Sequence, residues 1–224
     1  IIPSYNSEND LIDLLHSFSD WDDLPKEILV IDSSEIPPNI SEELKFIFND
    51  AGVIFKLISG KKMYPGHARN LGLINTSYPI ICFLDVCTHP SSDWFKLGFR
   101  KIAHSNLEVV WGLTIYSANT FFEKIVRACT FGEYPIQTLP GSFVTKDVIK
   151  STGLFISSTR AGEDADWMKR VSLHNFQYTL STTPLHYSGL LKLKFSQLIF
   201  EKLLNFHLSR HHIQQNHLER YYVL

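Results

Sequence analysis

In the first half of the chain, short continuous apolar runs take turns with segments whose apolar residues recur at helical spacing. Ile1 and Ile2 read as the end of a strand stopped by Pro3, and Leu11, Ile12, Leu14, Leu15 and Phe18 then share one helical face. Residues 27–32 (EILVID) form a second apolar run that closes on an acid. Ser41, followed by Glu42 and Glu43, supplies an N-cap and an acidic first turn to a helix over 41–50, with Leu44, Ile47 and Phe48 on its apolar face. A third strand is predicted over 53–58 and a third helix over 67–75. Residues 79–85 (PIICFLD) are the most apolar strand, as a central parallel strand covered on both faces requires. The second half is less regular: helices over 94–104, 121–129 and 163–174, and strands over 108–115 and 141–145.

Repeated strand–helix units with continuous apolar strands predict an α/β fold: a doubly wound, mostly parallel sheet flanked by helices, with a smaller region in the second half. In such sheets ligands bind beyond the carboxyl ends of the strands. That rule places residues 3–6, 32–34 and 85–87 along one rim, which is a candidate site on position alone. With no internal repeat or linker, residues 1–224 read as a single domain.

Composition narrows the function classes. The 224 residues are 44% hydrophobic and 20% charged, ordinary for a globular domain. A formal net charge of −2 gives no general attraction to nucleic acid or to anionic membranes, so an anionic ligand must be held by local groups. Three cysteines, Cys82, Cys87 and Cys129, are too few for a secreted disulfide framework and point to a reducing cytoplasm. No apolar stretch reaches the roughly 18 residues of a membrane span. The chain opens at Ile1 inside a strand, without a Met, and is expected to be a fragment of a longer polypeptide.

Ordered segments carry a resemblance. The opening Ile1-Ile2-Pro3-Ser4-Tyr5-Asn6, the strand ILVIDSS over 28–34 and the loop PGHARNLG over 65–72 resemble glycosyltransferase family 2. So do CFLDVCTHP over 82–90, Gly153-Leu154-Phe155, Gly162-Glu163-Asp164 with Arg170, and His186, in the family's order. The resemblance implies the GT-A fold and transfer of a sugar, by default from a UDP-sugar, to a saccharide or lipid-linked hydroxyl acceptor in glycan or polysaccharide synthesis. It implies inversion by direct displacement. It assigns 1–105 to nucleotide-sugar binding, 106–190 to the acceptor side and 191–224 to a C-terminal helical segment.

The chemistry asks for such residues. Displacing a nucleoside diphosphate leaves negative charge on phosphate, which a divalent metal or fixed donors must receive. The attacking hydroxyl must give its proton to a base within hydrogen-bond reach. By resemblance, Pro3, Tyr5, Asn6, Asp32, Gly66, Arg69, Asn70 and Asp85 hold the nucleotide, Asp164 is the base, and Glu163 supports it. Trp111, Gly141 and Arg170 fall on the acceptor side. Asp85 and His186 are the expected ligands of Mn²⁺ or Mg²⁺, because Cys87 stands where the family carries its second acid and a thiol suits neither ion.

Plainer roles stand beside several of these. Asp32 before Ser33 and Ser34 fits an Asx-turn, Trp111 fits a core, and two acids at a helix start fit the helix dipole. Phe195, Leu198, Ile199, Lys202, Leu203, Phe206 and Arg210 form a helical stretch suited to packing or to peripheral membrane contact. The rival reading is a nucleotide-sugar-binding or scaffold protein on the same fold. A nicotinamide oxidoreductase is excluded, since Pro3-Ser4-Tyr5-Asn6 replaces the glycine-rich turn.

Overall fold

The computed structural model describes residues 1–188. The helical stretch expected from Phe195 to Arg210, with its membrane contact, lies outside the described residues. Strands β1 (Ile2–Ser4), β2 (Glu27–Asp32) and β3 (Ile54–Ser59) form a three-stranded parallel sheet. Helices α1 (Glu8–Ser17), α2 (Glu42–Asp50) and α3 (Pro65–Asn75) alternate with them. The caps are those that the sequence supplies: Ser41 Oγ accepts from the Leu44 amide at 3.2 Å, and Pro65 opens α3, where no amide is needed.

The second sheet contains β4 (Ile80–Cys82), β5 (Thr88–His89), β6 (Val109–Tyr116), β7 (Ile136–Thr145), β8 (Tyr178–Leu180) and β9 (Leu185–Tyr187). Its order is β4-β7-β6-β9-β5, with β8 also on β6. β8 and β9 run parallel to β6, whereas β7 is antiparallel to both β4 and β6. The Ile1 nitrogen donates to the Cys82 carbonyl at 2.8 Å, and the Leu84 amide to the Ile1 carbonyl at 3.1 Å, so the two sheets are sewn together beside β1.

The strand expected over 79–85 ends earlier as a ladder. Phe83 instead bonds to Ser142 and Gly141 across from it, and Asp85 emerges at the carboxyl rim. β7 is longer than the expected 141–145, because Gly141 (φ +85°) lets the strand kink and continue back to Ile136. Helices α4 (Ser92–Ala103), α5 (Phe121–Thr130), α6 (Lys146–Thr152) and α7 (Glu163–Ser172) complete the described elements.

Two apolar clusters hold the layers. One gathers Leu11, Leu15, Phe48, Trp94 and Phe143 between α1, α2, α4 and the sheets. The other packs Phe83, Trp111, Leu139, Phe155 and Trp167 beneath α6 and α7. An apolar cavity of about 260 Å³ opens at the amino ends of β2 and β4, lined by Phe18, Trp21, Leu29, Ile81 and Phe95. It lies at the opposite end of these strands from the polar rim. Among the described residues, no helix is long and apolar enough to cross a membrane.

Candidate active site

The loop after β1 and the end of β2 build one wall of the rim. Tyr5 is 60% exposed, and Asn6 sits in the left-handed region (φ +48°). The Asn6 amide donates to Ser34 Oγ at 2.8 Å. Asp32 itself is fully buried: Ser34 donates to it twice, from its amide at 3.0 Å and its hydroxyl at 2.9 Å. The Asp32 carboxylate thus makes the Asx-turn and shapes the loop that carries Ser34. Pro3 is half-buried within β1 opposite Ile31, so it too is framework. Asn6, Ser7, Asp10, Ser34 and Pro38 line a polar hollow of about 580 Å³ in front of this wall.

Arg69 occupies the centre. Its guanidinium donates to Glu163 Oε1 at 2.5 Å and to Asp85 Oδ1 at 3.0 Å, and its side chain is 5% exposed. It also lies over the Phe155 ring, 5.8 Å from the centroid. Burial opposes its charge, but Asp85 and Glu163 more than offset that, and the net shift is upward. Arg69 is thus fixed by two acids, one from a strand end and one from a helix start. Glu163 is held above its ordinary range, first by burial, with Arg69 pulling the other way and Asp164 adding to the rise.

The neighbours of Arg69 are tied in by packing as well. Asn70 clamps a loop: its amide group donates to the Phe155 carbonyl at 2.8 Å and to Ser157 Oγ at 3.0 Å, while its oxygen accepts from the Phe155 amide at 2.9 Å. Gly66 is needed for close packing, since a Cβ there would lie 2.2 Å from the Ile156 carbonyl oxygen and 3.0 Å from Glu163 Cγ. Both residues dock α3 against the segment that leads into α7.

Helix α7 starts from Gly162 in the left-handed region (φ +87°) and divides its acids between two directions. Glu163 and Asp166 are buried, whereas Asp164 is half-exposed and accepts from the Ala165 amide at 2.8 Å. Asp166 points away from Asp164, as a helical turn demands, and pairs with Arg170 at 2.9 Å. Arg170 also donates to the Thr152 carbonyl and, at 2.8 Å, to that of Leu154. It is a strut under the Gly153 turn. Trp111, 4% exposed, packs edge-on against Trp167 in the core. Gly141 is also interior, its carbonyl accepting from the Trp94 indole at 3.0 Å.

Asp85 and Asp164 nevertheless face common ground. Both act on Arg69, and both act on Tyr116 at the end of β6, whose hydroxyl burial and these acids push up to about 12. The Asp85 side chain is 33% exposed. Across from it, Cys87 Sγ lies 3.9 Å from Asp10 Oδ2 of α1. Tyr187 of β9 is likewise pushed up, by burial and then by Cys87, Asp85, Tyr116 and Asp10. His186 is elsewhere. Strand alternation turns it to the face opposite Tyr187, exposed and across from His89.

The pattern described as Glycosyl transferase family 2 matches residues 1–170, from β1 through most of α7. The chain belongs to glycosyltransferase family 2. The glycosyltransferase AglE of Haloferax volcanii is 24% identical over 195 residues, covering 81% of this chain and 63% of AglE. Staphylococcus aureus TarS (1–349), solved with UDP-GlcNAc, superposes with a TM-score of 0.62 at 17% identity, over 87% of this chain and 59% of that one. The mannosyltransferase PcManGT of Pyrobaculum calidifontis, solved with GDP-Man and Mn²⁺, gives 0.58 at 13%, over 87% of this chain and 57% of its own. These likenesses show the GT-A fold. The chain spans about three-fifths of the length of these relatives.

Against the family 2 pattern, the metal expectation does not fit. Asp85 spends one oxygen on Arg69, the second acid is Cys87, and His186 is on the other face. Among the described residues no group of three or more His, Cys, Asp and Glu side chains is arranged to hold an ion. Divalent ions of this kind need several oxygen ligands, so Asp85 and His186 do not make a site for Mn²⁺ or Mg²⁺. The residues that the sequence reading missed are Ser34, Tyr116, Tyr187 and Asp10. Only Ser34 carried a signal, as the partner an Asx-turn at Asp32 would need.

Proposed function

We propose that this domain transfers a sugar from a nucleotide-sugar to a hydroxyl acceptor, with Asp164 as the base. The observation that carries the reading is the Arg69 bridge. It ties the strand-end acid Asp85 to Glu163, so that the next residue, Asp164, stands half-exposed beside Asp85 at the strand ends. In the reaction the acceptor oxygen forms a bond to the anomeric carbon as the bond from that carbon to the diphosphate oxygen breaks. The acceptor proton passes to the Asp164 carboxylate, the nucleoside diphosphate departs, and the configuration inverts.

The rim loop of Tyr5, Asn6 and Ser34, set by Asp32, is the nucleotide wall in this reading, and Asp85 the acid nearest the diphosphate. Glu163 and Arg69 position α7 and make no substrate contact. Residues 1–105 then serve the donor and 106–190 the acceptor, a saccharide or lipid-linked sugar. Three free thiols agree with the cytoplasm as compartment. TarS was solved with UDP-GlcNAc and PcManGT with GDP-Man, so UDP- and GDP-sugars head the donor screen.

The test is a thermal-shift screen of nucleotide-sugars, followed by assay of the stabilising donor for transfer to saccharide and lipid-linked acceptors. A bound donor stabilises the native state in proportion to the logarithm of its concentration. Stabilisation with transfer supports the reading. Stabilisation with hydrolysis and transfer absent for every acceptor favours the binding protein instead.

A further inference from the structure

β6 and β9 run parallel, and their last residues, Tyr116 and Tyr187, lie opposite one another. The two rings are 5.1 Å apart at 53°, and Tyr116 also lies flat on Phe131, at 3.8 Å and 5°. Phe131 follows the end of α5 and packs with Phe122 against Val126. The Tyr116 ring is therefore held from two sides, and few rotamers remain open to it.

The pair stands next to the Asp85 turn by backbone geometry alone. Tyr187 is opposite Thr88, whose amide and hydroxyl both donate to the Asp85 carbonyl, at 3.0 and 2.6 Å. The Ser188 amide donates to the Cys87 carbonyl at 3.1 Å. Among the described residues, neither phenolic oxygen has a hydrogen-bond partner. Burial first, then Asp85 and Asp164 for Tyr116 and Cys87, Asp85, Tyr116 and Asp10 for Tyr187, hold both hydroxyls in the protonated form, so both remain donors.

In a direct displacement the anomeric carbon must lie between the diphosphate side and the base. Tyr116 reaches the Asp85 turn through Tyr187 and Thr88, and its hydroxyl lies within the influence of both Asp85 and Asp164. A half-buried ring offers a sugar an apolar face, and its hydroxyl offers a donor for one of the sugar's oxygens. We propose that Tyr116, braced by Phe131 and Tyr187, contacts the sugar being transferred and helps to select it. The inference rests on the glycosyltransferase reading and extends it to a residue outside 1–105, the half assigned to the donor.

The test compares Tyr116→Phe and Tyr116→Ala with the wild type by calorimetry, using UDP-glucose, UDP-GlcNAc, GDP-mannose, UDP and GDP. Tyr116→Phe removes only the hydroxyl and keeps the stack on Phe131. It should weaken the preferred nucleotide-sugar about three- to tenfold, the worth of one hydrogen bond, and leave the free nucleotide within about twofold. Tyr116→Ala should widen that gap further. If Tyr116→Ala fails to fold, Tyr116→Phe alone decides. Unchanged ratios of nucleotide-sugar to nucleotide affinity in the folded variants overturn this inference and leave the glycosyltransferase reading standing. A wild type that binds none of the five ligands overturns both.

Discussion

Arg69 donates to Glu163 over 2.5 Å, and each side chain is only 5% exposed. The same guanidinium reaches Asp85, so one cation neutralises two acids that come from a strand end and from a helix start 94 residues away from it in sequence. Removing one member of a buried pair leaves an uncompensated charge, which costs about 3–5 kcal/mol. Arg69→Ala should therefore lower the unfolding free energy by about that much in denaturant melts, and Arg69→Lys by less, because lysine keeps the charge and loses only the fork. Normal stability with weakened nucleotide binding would favour the phosphate-binding role.

Glu163 supplies a pH signature. Its folded pKa is raised above the ordinary 4.5, chiefly by burial. A raised value means that the stabilising contribution is whole below 4.5 and is lost as pH climbs through the folded pKa. Glu163→Gln keeps an oxygen for Arg69 without the ionisation. The stability of the wild type relative to Glu163→Gln should accordingly fall as pH rises from below 4.5, then level off. Melting curves across that range check it, and a difference that grows with pH would contradict the direction.

Asp164→Asn keeps the shape of the side chain and removes the charge that takes the proton. Turnover should drop by about 10²–10⁴-fold, with nucleotide affinity hardly changed. Near-normal turnover would remove Asp164 from the mechanism. The measurement is a rate and a binding constant on one donor–acceptor pair.

Gly66→Ala tests the packing of α3 on the segment before α7. The new methyl would meet the Ile156 carbonyl oxygen at 2.2 Å, a backbone atom with little room to yield. Overpacking of this kind costs about 1–3 kcal/mol. A lowered melting temperature is expected, along with reduced turnover, since Glu163 is displaced together with the backbone. An unchanged melting temperature would show that the two segments separate easily.

Cys87 offers a gain-of-function test. Nucleotide-free wild type should bind Mn²⁺ weakly, because Asp85 is the one hard ligand on its face that the family pattern retains. Cys87→Asp should bind it more tightly in calorimetry if the position faces the diphosphate. Tight binding by the wild type would point to ligands that the described geometry does not include.

The parallel half was legible because its strands are continuous apolar runs and its helices are capped and amphipathic; β2 and α3 fall close to where periodicity put them. The second half hid its short strands. β5, with two residues, and β9, with three, have no period to detect, and they are held by neighbours distant in sequence. Several rim residues could be named from the sequence, but their contacts could not. Arg69, Asn70 and Arg170 bear the same side chains whether they bind a ligand or tie loops together. Which they do depends on partners such as Glu163, Phe155 and Thr152, whose proximity only the fold creates. Tyr116 and Tyr187 stayed hidden for the same reason, since nothing in sequence brings residues of two different strand ends to the Asp85 turn.

The clamp from Asn70 to Phe155 spans 85 residues, and it bears on synthesis. When β1 to α3 have left the ribosome, that parallel unit has its strands, yet Asn70 and Arg69 still face unmet partners. Closing so long a loop comes late and is slow relative to local structure. Helix α3 thus acts as a completion gauge: a chain halted before α7 lacks both Glu163 and Asp164, so under the proposed mechanism a nascent or truncated product would keep the rim loop but have no base to turn over a donor.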